Sequence, residues 1–361
     1  MSASLISVDG LKVNFLTEQG LVRAVDGATF DLEPGQAIGI VGESGSGKSV
    51  TAKTLMNLLP SYAQVEGSIS FEGHDLREKI KNKQKHFWGV EMSMIFQDPM
   101  TSLNPVKRIG EQIAEVLRVH LKRDKKSALR EAGDLLERVG IPEPSKRLRQ
   151  YPHELSGGLR QRVVIAISLA CNPKLLIADE PTTALDVTVQ KHILDLLDDL
   201  RKERGMAMML ITHDLGVVKG RTDEIMVMYG GRTMEEASTA ALFECNGRHP
   251  YTEALTETIP KIDTPSHTRL VPIPGRPPET IVKIEGCPFA QRCRYCTDKC
   301  LTDMPPLVEC GENHLCACHN PVGTLGGIAA REANFDSGKT PAGLDMDEFR
   351  TSIATQKNGE S

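Results

Sequence analysis

The sequence predicts an α/β fold in which helices flank a parallel sheet, and three patterns lead to that expectation. The first 75 residues alternate apolar and polar positions between Gly and Pro-Gly breaks, as strands with one buried face do. Residues 109–148 are heavily charged, and their apolar residues recur at helical spacing. Beyond residue 150, short apolar runs alternate with amphipathic segments, which is the pattern of a parallel α/β core.

Each element is justified by a local signal. In the strand-rich lobe, one helix is expected from residue 48 until Pro60 ends it. A helical subdomain is expected over about residues 100–158, where the apolar residues keep a helical period. The core that follows is predicted from its alternation of period, with helices at 159–170 and 189–204 and strands at 174–178, 206–212 and 224–229.

Composition limits the class of protein. The chain has 361 residues, of which 40% are hydrophobic and 25% charged, so it can bury a core. Its formal net charge of −5 argues against a basic surface for nucleic acid. The longest apolar runs, such as residues 163–171, are much shorter than the ~20 residues of a membrane-spanning helix. With no signal-peptide pattern at its start, the protein is expected in the cytosol unless something tethers it.

The composition changes twice along the chain. Residues 1–244 carry the strands and helices described above. Prolines and then cysteines gather in residues 245–320, which we interpret as a Pro- and Cys-rich C-terminal extension. Residues 321–361 are rich in Gly, Ala, Thr, Ser and charged residues and have few large apolar ones, so we expect a disordered or weakly held tail.

A glycine-rich loop between a predicted strand and a predicted helix is typical of a phosphate-binding P-loop. Its glycines let backbone N–H groups close around phosphates, and the helix N-terminus adds positive potential. The lysine is expected to reach the β- and γ-phosphates and the following serine to ligate Mg²⁺. An ordinary glycine-rich turn is the alternative. The loop consists of Gly42, Glu43, Ser44, Gly45, Ser46, Gly47, Lys48 and Ser49.

Two carboxylates directly follow a fully apolar strand. Asp179 stands at the carboxyl end of that strand, where ligands of parallel sheets bind, and is expected to hold Mg²⁺ directly or through water. Glu180 follows and can act as the general base for a water molecule at the γ-phosphate. A surface acidic turn is the alternative, but it would not explain why two carboxylates directly follow the strand that is expected to be the most buried.

A second candidate anion site precedes the helix at 159–170. Ser156, Gly157 and Gly158 place a hydroxyl and two small residues at a helix N-terminus, which favours anion binding. The segment is far from Lys48 in sequence, so it can meet the same phosphate from a second subunit of a dimer. A simple helix cap is the alternative for Ser156.

Together, the P-loop, the Leu-Ser-Gly-Gly segment at 155–158 and the Asp179 strand resemble the ATP-binding subunit of ABC transporters. The resemblance covers nearly all of residues 1–320. It implies an ABC-type P-loop ATPase with an antiparallel β lobe, a helical subdomain and a small Cys-rich C-terminal extension. It further implies ATP as the substrate and Mg²⁺ as the cofactor.

The resemblance assigns roles to four further residues. Gln97 is similar to the Q-loop glutamine, which senses Mg²⁺ and water and links to the permease. His213 resembles the switch histidine at the γ-phosphate, and Asp186 resembles the D-loop residue at the dimer seam. Phe15 matches the aromatic residue that stacks on adenine, although a core or hairpin phenylalanine is an alternative at that position.

A narrower resemblance is to the peptide/nickel group, specifically the D-type subunits of oligopeptide and dipeptide permeases. The segments that carry it are 97–105, 248–255, 273–278, 286–293 and 317–319. It implies an ATPase on the cytoplasmic face of the membrane, with a homologous F-type ATPase, two permease subunits and an extracytoplasmic substrate-binding protein as partners. Nickel, glutathione or another small solute are alternative cargoes, and a non-transport ABC ATPase is a further alternative.

Nine cysteines are present, and seven of them lie between residues 287 and 318. An odd number in a chain without an export signal argues for metal binding rather than for disulfides. The family pattern selects four of them as ligands of a [4Fe–4S] cluster, and Zn²⁺ is the alternative because Cys293 and Cys296 form a zinc-like pair. The roles of Cys296, Cys310 and Cys316 stay open. The four selected ligands are Cys287, Cys293, Cys300 and Cys318.

Overall fold

A computed structural model describes residues 4–83, 87–98, 102–182, 186–245, 247–259, 273–278, 281, 284–347 and 349. In chain order the strands are β1 (Ile6–Thr17), β2 (Gly20–Leu32), β3 (Ala37–Val41), β4 (Ala63–Phe71), β5 (His74–Asp75), β6 (Met92–Ile95), β7 (Leu175–Asp179), β8 (Ala207–Thr212), β9 (Glu224–Tyr229), β10 (Arg232–Ser238), β11 (Val308–Gly311) and β12 (His314–Cys316).

The helices begin and end at the following residues. They are α1 (Lys48–Leu55), α2 (Leu76–Lys83), α3 (Ile109–Leu121), α4 (Lys125–Arg138), α5 (Pro144–Arg147), α6 (Gly157–Leu169), α7 (Val187–Arg204), α8 (Leu215–Val218), α9 (Thr239–Cys245), α10 (Pro250–Glu257), α11 (Asp298–Thr302) and α12 (Leu325–Ser337). Within the described ranges, no helix combines the length and the apolar character that crossing a membrane requires.

The N-terminal lobe is an antiparallel sheet with strand order β2-β1-β4-β5. Alternate residues of β1 are buried, as the sequence pattern predicts for a strand with one buried face. The alternation shifts between Val8 and Leu11, where the pairing register with β2 also shifts. This irregularity keeps both apolar residues on the core side, with exposed fractions of 1% and 0%.

A second sheet forms the core, with strand order β11-β12-β10-β9-β3-β8-β7-β6. Its members β9, β3, β8, β7 and β6 pair in parallel, so the predicted α/β class is confirmed. Every residue of β3, β7 and β8 is buried, which explains why these strands are apolar throughout instead of alternating. The carboxyl ends of the parallel strands therefore meet at one edge of the sheet.

The helical subdomain contains α3, α4 and α5 and packs on α6. Apolar residues at helical spacing on α3, such as Ile113 and Leu117, face Leu136 of α4 and Val163 of α6 in one hydrophobic core. Asp124 caps α4 because its carboxylate accepts hydrogen bonds from the backbone N–H groups of Lys126 and Ser127. The charged faces of these helices are left to solvent, as their composition predicts.

The Cys-rich extension joins the core sheet. Strand β12 pairs with β10, and β11 pairs with β12, so the sheet gains two antiparallel strands at its edge. The fully buried carboxylate of Glu235 on β10 accepts from the backbone N–H groups of Arg248 and His249, at 2.6 and 2.9 Å. It also contacts His314 Nε2 of β12 at 2.5 Å. The extension is therefore built onto the sheet that carries the P-loop.

The prediction of a disordered or weakly held tail for residues 321–361 is wrong in its first part. Residues Leu325–Ser337 form helix α12, and Thr324 caps it by accepting from the Gly327 N–H at 3.1 Å. The buried Asn334 amide donates to the backbone carbonyls of Arg294 and Cys296, at 3.0 and 2.9 Å. These contacts to the extension order a segment that has few large apolar residues. The end of the tail, residues 350–361, lies outside the described residues.

Glu236 on β10 gives a testable pH dependence. Burial, and then the charges of Glu224 and Asp31, raise the pKa of Glu236 from 4.5 to about 7. The folded chain holds this proton more tightly than the unfolded chain, so the contribution of Glu236 to stability falls as pH rises from 4.5 to 7. We expect Glu236→Gln to raise the free energy of unfolding relative to the wild type by about 1–3 kcal/mol more at pH 8 than at pH 5.

Urea unfolding of both proteins at the two pH values measures this difference. Glu18→Gln, which removes an exposed carboxylate, is the matched control and should not change the pH dependence. If Glu236→Gln shifts the unfolding free energy equally at pH 5 and pH 8, the carboxyl group of Glu236 does not titrate as stated.

Candidate nucleotide-binding site

The P-loop connects β3 to α1, as the sequence predicts. Glycine is required at two of its positions because the backbone lies against other chain segments. A Cβ atom on Gly42 would lie 2.1 Å from the Met228 carbonyl oxygen, and one on Gly47 would lie 2.5 Å from that of Ala24. Gly45 differs, since a Cβ there meets nothing within 4 Å. The loop is thus packed on the protein at both ends and open in the middle.

Lys48 is buried within this loop. Its Nζ donates hydrogen bonds to the carbonyl oxygens of Gly42 and Glu43, at 2.7 and 2.9 Å. Burial lowers the pKa of Lys48, while the nearby carboxylates of Glu180, Asp179 and Glu43 act in the opposite direction. Phosphate oxygens entering the loop would offer this ammonium a charged partner in place of neutral carbonyls, which makes a stronger hydrogen bond.

Ser49 and Asp179 meet across the site. Ser49 Oγ donates to Asp179 Oδ1 at 2.9 Å, which joins the start of α1 to the end of β7. Asp179 is only 4% exposed, and burial raises its pKa above the usual range. A hydroxyl and a carboxylate oxygen are hard ligands of the kind that Mg²⁺ prefers, so this pair fits the magnesium ion that the sequence predicts.

Glu180 lies at the point where three strands end. Gln97, just after β6, donates from Nε2 to Glu180 Oε2 at 2.9 Å. His213, just after β8, has Nδ1 3.4 Å from Glu180 Oε1. The three residues predicted to be catalytic are thus brought together, each from a different strand.

The backbone of Glu180 is itself unusual. Its φ of +46° lies in the left-handed region, which a non-glycine residue rarely adopts. The Glu180 N–H donates to the Ile211 carbonyl at 2.9 Å, which helps to hold this conformation. Strained residues of this kind cluster at functional sites, and here the strain turns a carboxylate out of a buried strand.

Ser156, Gly157 and Asp186 lie on an exposed part of the surface. Ser156 Oγ accepts from the Leu159 N–H at 3.4 Å, and Asp186 Oδ1 accepts from the Val189 N–H at 2.9 Å, so both residues cap helices. A Cβ on Gly158 would lie 3.0 Å from Val189 Cγ1, which places the two caps side by side. Among the described residues, no hydrogen bond connects this pair of caps to the P-loop.

Phe15 lies on β1 of the N-terminal lobe. Its ring packs edge-to-face against Tyr62, with the ring centroids 6.1 Å apart. Tyr62 is 63% exposed, so the pair offers aromatic surface to solvent. Tyr62 was not singled out in the sequence, because an isolated tyrosine after Pro60 carries no recognisable pattern.

Sequence reasoning also missed the partners of Glu43. The Glu43 N–H donates to the Tyr251 hydroxyl at 2.8 Å, and the Glu43 carboxylate is paired with Arg292. Both partners lie in segments whose motifs resemble the peptide/nickel group, at 248–255 and 286–293. These motifs therefore mark Tyr251 and Arg292 as residues of interest, although they do not indicate that either residue contacts Glu43.

The four predicted cluster ligands lie near one another, with Cys293 and Cys300 buried and Cys287 and Cys318 half-buried. Burial, and then the thiols of Cys287, Cys318 and Cys300, raise the pKa of Cys293 well above its usual value. Within the ranges that the structure describes, however, no group of three or more His, Cys, Asp or Glu side chains is arranged to hold a metal ion. The side-chain arrangement thus supports neither an iron–sulfur cluster nor zinc.

Comparison with protein families gives two matches. Residues 25–183 match the ABC transporter family, and residues 234–300 match the C-terminal region of oligopeptide/dipeptide transporters. The structure of cbiO1 from Clostridium perfringens, part of the ABC transporter complex cbiONQ, aligns with a TM-score of 0.56 and 27% identity. The alignment covers 67% of this chain and 92% of that one.

Two relatives match over most of this chain. The oligopeptide transport ATP-binding protein OppD of Escherichia coli is 47% identical over 322 residues, which cover 89% of this chain and 95% of that protein. OppD of Mycobacterium bovis is also 47% identical, over 94% of this chain. The match covers 56% of the mycobacterial protein, so the chain spans little more than half of that relative. On this similarity, the chain belongs to the ABC transporter family, in the group of oligopeptide and dipeptide transport ATP-binding proteins.

Proposed function

We propose that this chain is the ATP-binding and ATP-hydrolysing subunit of an ABC importer of short peptides, held at the cytoplasmic face of the membrane. The observation that carries the proposal is the convergence of Gln97, Glu180 and His213 beside the Ser49–Asp179 pair. The names of the relatives and the C-terminal region match favour peptides as the cargo.

Hydrolysis at this site would use groups that are already in place. Lys48 and the loop N–H groups would bind the β- and γ-phosphates, and Ser49, Asp179 and Gln97 would hold Mg²⁺, which supplies positive charge to the phosphate oxygens. The Glu180 carboxylate would accept a proton from the attacking water. The Gln97 amide and the His213 ring, which both contact this carboxylate, would orient the water and the γ-phosphate.

The exposed caps favour a dimeric arrangement. Ser156, Gly157, Gly158 and Asp186 are free of the P-loop of their own chain, so we propose that they complete the nucleotide site of a second ATPase, an F-type homologue. Two permease subunits and an extracytoplasmic substrate-binding protein would complete the importer. Nickel, glutathione or another small solute remain alternative cargoes, and a non-transport ABC ATPase is the less favoured hypothesis.

Glu180→Gln is expected to slow ATP hydrolysis by about 10²–10⁴-fold, because the amide cannot accept the proton of water. Nucleotide binding should persist, since Lys48 and the loop are unchanged. Steady-state ATPase activity and ATP binding of the assembled complex measure the two effects. Glu203→Gln, at an exposed carboxylate on α7, is the control and should keep its activity. Wild-type turnover in Glu180→Gln would exclude Glu180 as the base.

The cargo is tested by reconstituting the chain with its permease and binding-protein partners in proteoliposomes. We expect uptake of di- or oligopeptides that depends on ATP and is lost in Lys48→Ala, because this change removes the phosphate-binding ammonium. Nickel and glutathione are assayed in parallel. Uptake of either of these in place of peptides would overturn the peptide assignment while leaving the ATPase assignment intact.

We further propose that Cys287, Cys293, Cys300 and Cys318 are the ligands of a [4Fe–4S] cluster. What supports the proposal is the spacing of the four cysteines, which resembles the family pattern, together with hydrogen bonds to two of the sulfur atoms. The Tyr295 N–H donates to Cys293 Sγ at 3.4 Å, and the Asn320 N–H donates to Cys318 Sγ at 3.3 Å. Such bonds to sulfur stabilise thiolate ligands and tune a cluster. Its role would be structural, in folding the extension.

Iron, sulfide and zinc analysis of anaerobically purified protein tests this proposal. Replacing any one of the four cysteines by serine should remove the metal, because a cluster of this type needs four thiolates. Cys310→Ser, in the same extension, is the matched control and should retain it. Stoichiometric zinc without sulfide would show that the site binds zinc and would overturn the iron–sulfur assignment. Loss of metal in Cys296→Ser but not in Cys300→Ser would overturn the ligand set.

A further inference from the structure

We propose that Arg292 of the C-terminal extension is a positioning residue of the P-loop. Its guanidinium compensates the charge of Glu43 and holds the first turn of the loop, so the affinity for nucleotide depends on the extension. The inference concerns the nucleotide site proposed above and is independent of the cargo and of any metal in the extension.

The contact between Arg292 and Glu43 is bidentate. Arg292 Nη1 lies 2.5 Å from Glu43 Oε2, and Nη2 lies 3.0 Å from Oε1. The arginine side chain is only 4% exposed and that of Glu43 is 27% exposed. Paired N–H donors on one carboxylate form a strong and geometrically specific ion pair, and burial reduces its screening by salt.

The guanidinium is fixed before it reaches the loop. Its Nε donates to the Pro274 carbonyl at 2.6 Å, and Nη1 also donates to the Tyr229 hydroxyl at 2.9 Å. Phe289 and Tyr229 lie beneath it, with the guanidinium carbon 5.9 and 5.6 Å from their ring centroids. Arg292 is thus anchored by the extension and by the end of β9, and it presents a rigid pair of donors to Glu43.

Every polar group of Glu43 is engaged. The carboxylate binds Arg292, the N–H binds the Tyr251 hydroxyl at 2.8 Å, and the carbonyl accepts from Lys48 at 2.9 Å. Arg292 and Tyr251 both come from segments beyond residue 247. The extension, which includes α10, therefore sets the position of the loop residue to which the phosphate-binding lysine is bonded.

The charge of Glu43 explains why the pairing matters for binding. Its carboxylate is close enough to act electrostatically on Lys48. A nucleotide adds several negative charges to the same loop, and an uncompensated carboxylate there would oppose them. The Arg292 cation removes that opposition. Loss of Arg292 should consequently weaken nucleotide binding through Glu43, whereas loss of packing alone would not depend on Glu43.

Arg294 provides a matched control two residues away. It is also buried, at 8% exposed, but it pairs with Glu253 and Glu257 of α10 and not with the P-loop. Arg294→Ala therefore breaks an ion pair of the same extension without changing the charge at the nucleotide site.

The test is a double-mutant cycle on the full chain, with a fluorescent ATP analogue and Mg²⁺ as the probe. Arg292→Ala is expected to raise the Kd by about tenfold or more, since it leaves a carboxylate unpaired in the loop. In a Glu43→Gln background, the same change should alter the Kd by no more than about threefold. Arg294→Ala should stay within about twofold of the wild type.

The outcomes are distinct. Equal losses of affinity from Arg292→Ala in the two backgrounds, or an equal loss in Arg294→Ala, would overturn the role of Arg292. Absence of nucleotide binding in the wild type would instead overturn the proposed function, and this inference with it. Should Arg292→Ala fail to fold, Arg292→Lys and Arg292→Gln replace it in the same cycle. The Arg292→Lys variant, which keeps the positive charge, should then bind the ATP analogue more tightly than the Arg292→Gln variant.

Discussion

The parallel register of three buried strands is the constraint on which the rest of the site depends. Val41 of β3 is level with Thr212 of β8, and Asp179 of β7 is level with Ile211 of the same strand. The loop after β3, the two carboxylates at the end of β7 and the histidine after β8 therefore lie at the same level of the sheet. Because side chains alternate along a strand, a shift of one residue in the pairing of a strand would turn its functional side chain to the opposite face of the sheet.

Burial of these strands also maintains the strained conformation of Glu180. A left-handed backbone at a glutamate persists only where its surroundings determine it, and here the N–H is fixed to Ile211 while the carboxylate lies between Gln97 and His213. The fold thus fixes the orientation of the carboxylate before any substrate arrives. Such preorganisation is the main contribution that a protein can make to phosphoryl transfer, which needs positioning and charge more than covalent chemistry.

The sequence predicts the parts of this site whose signals are local. The P-loop and the Asp179–Glu180 pair each follow an apolar strand within a few residues, so spacing and residue type suffice to find them. The Glu43–Arg292 pair joins residues 249 positions apart, and its formation depends on how the extension packs. Helix α12 escaped prediction for the same reason, since Asn334 orders it through carbonyls of the extension and not through its own composition.

The extension and the ATPase share one hydrophobic core, and this shared core explains how Arg292 comes to lie beside Glu43. Phe289 of the extension packs against Tyr229 of β9 and Tyr251 of α10, with ring centroids 5.3 Å apart in both cases. The same core includes Val41, the last residue before the P-loop. Packed interiors transmit displacement because they contain few voids. The extension is therefore connected to the first turn of the P-loop by side chains in direct contact, namely the Tyr251 hydroxyl and the Arg292 guanidinium on Glu43.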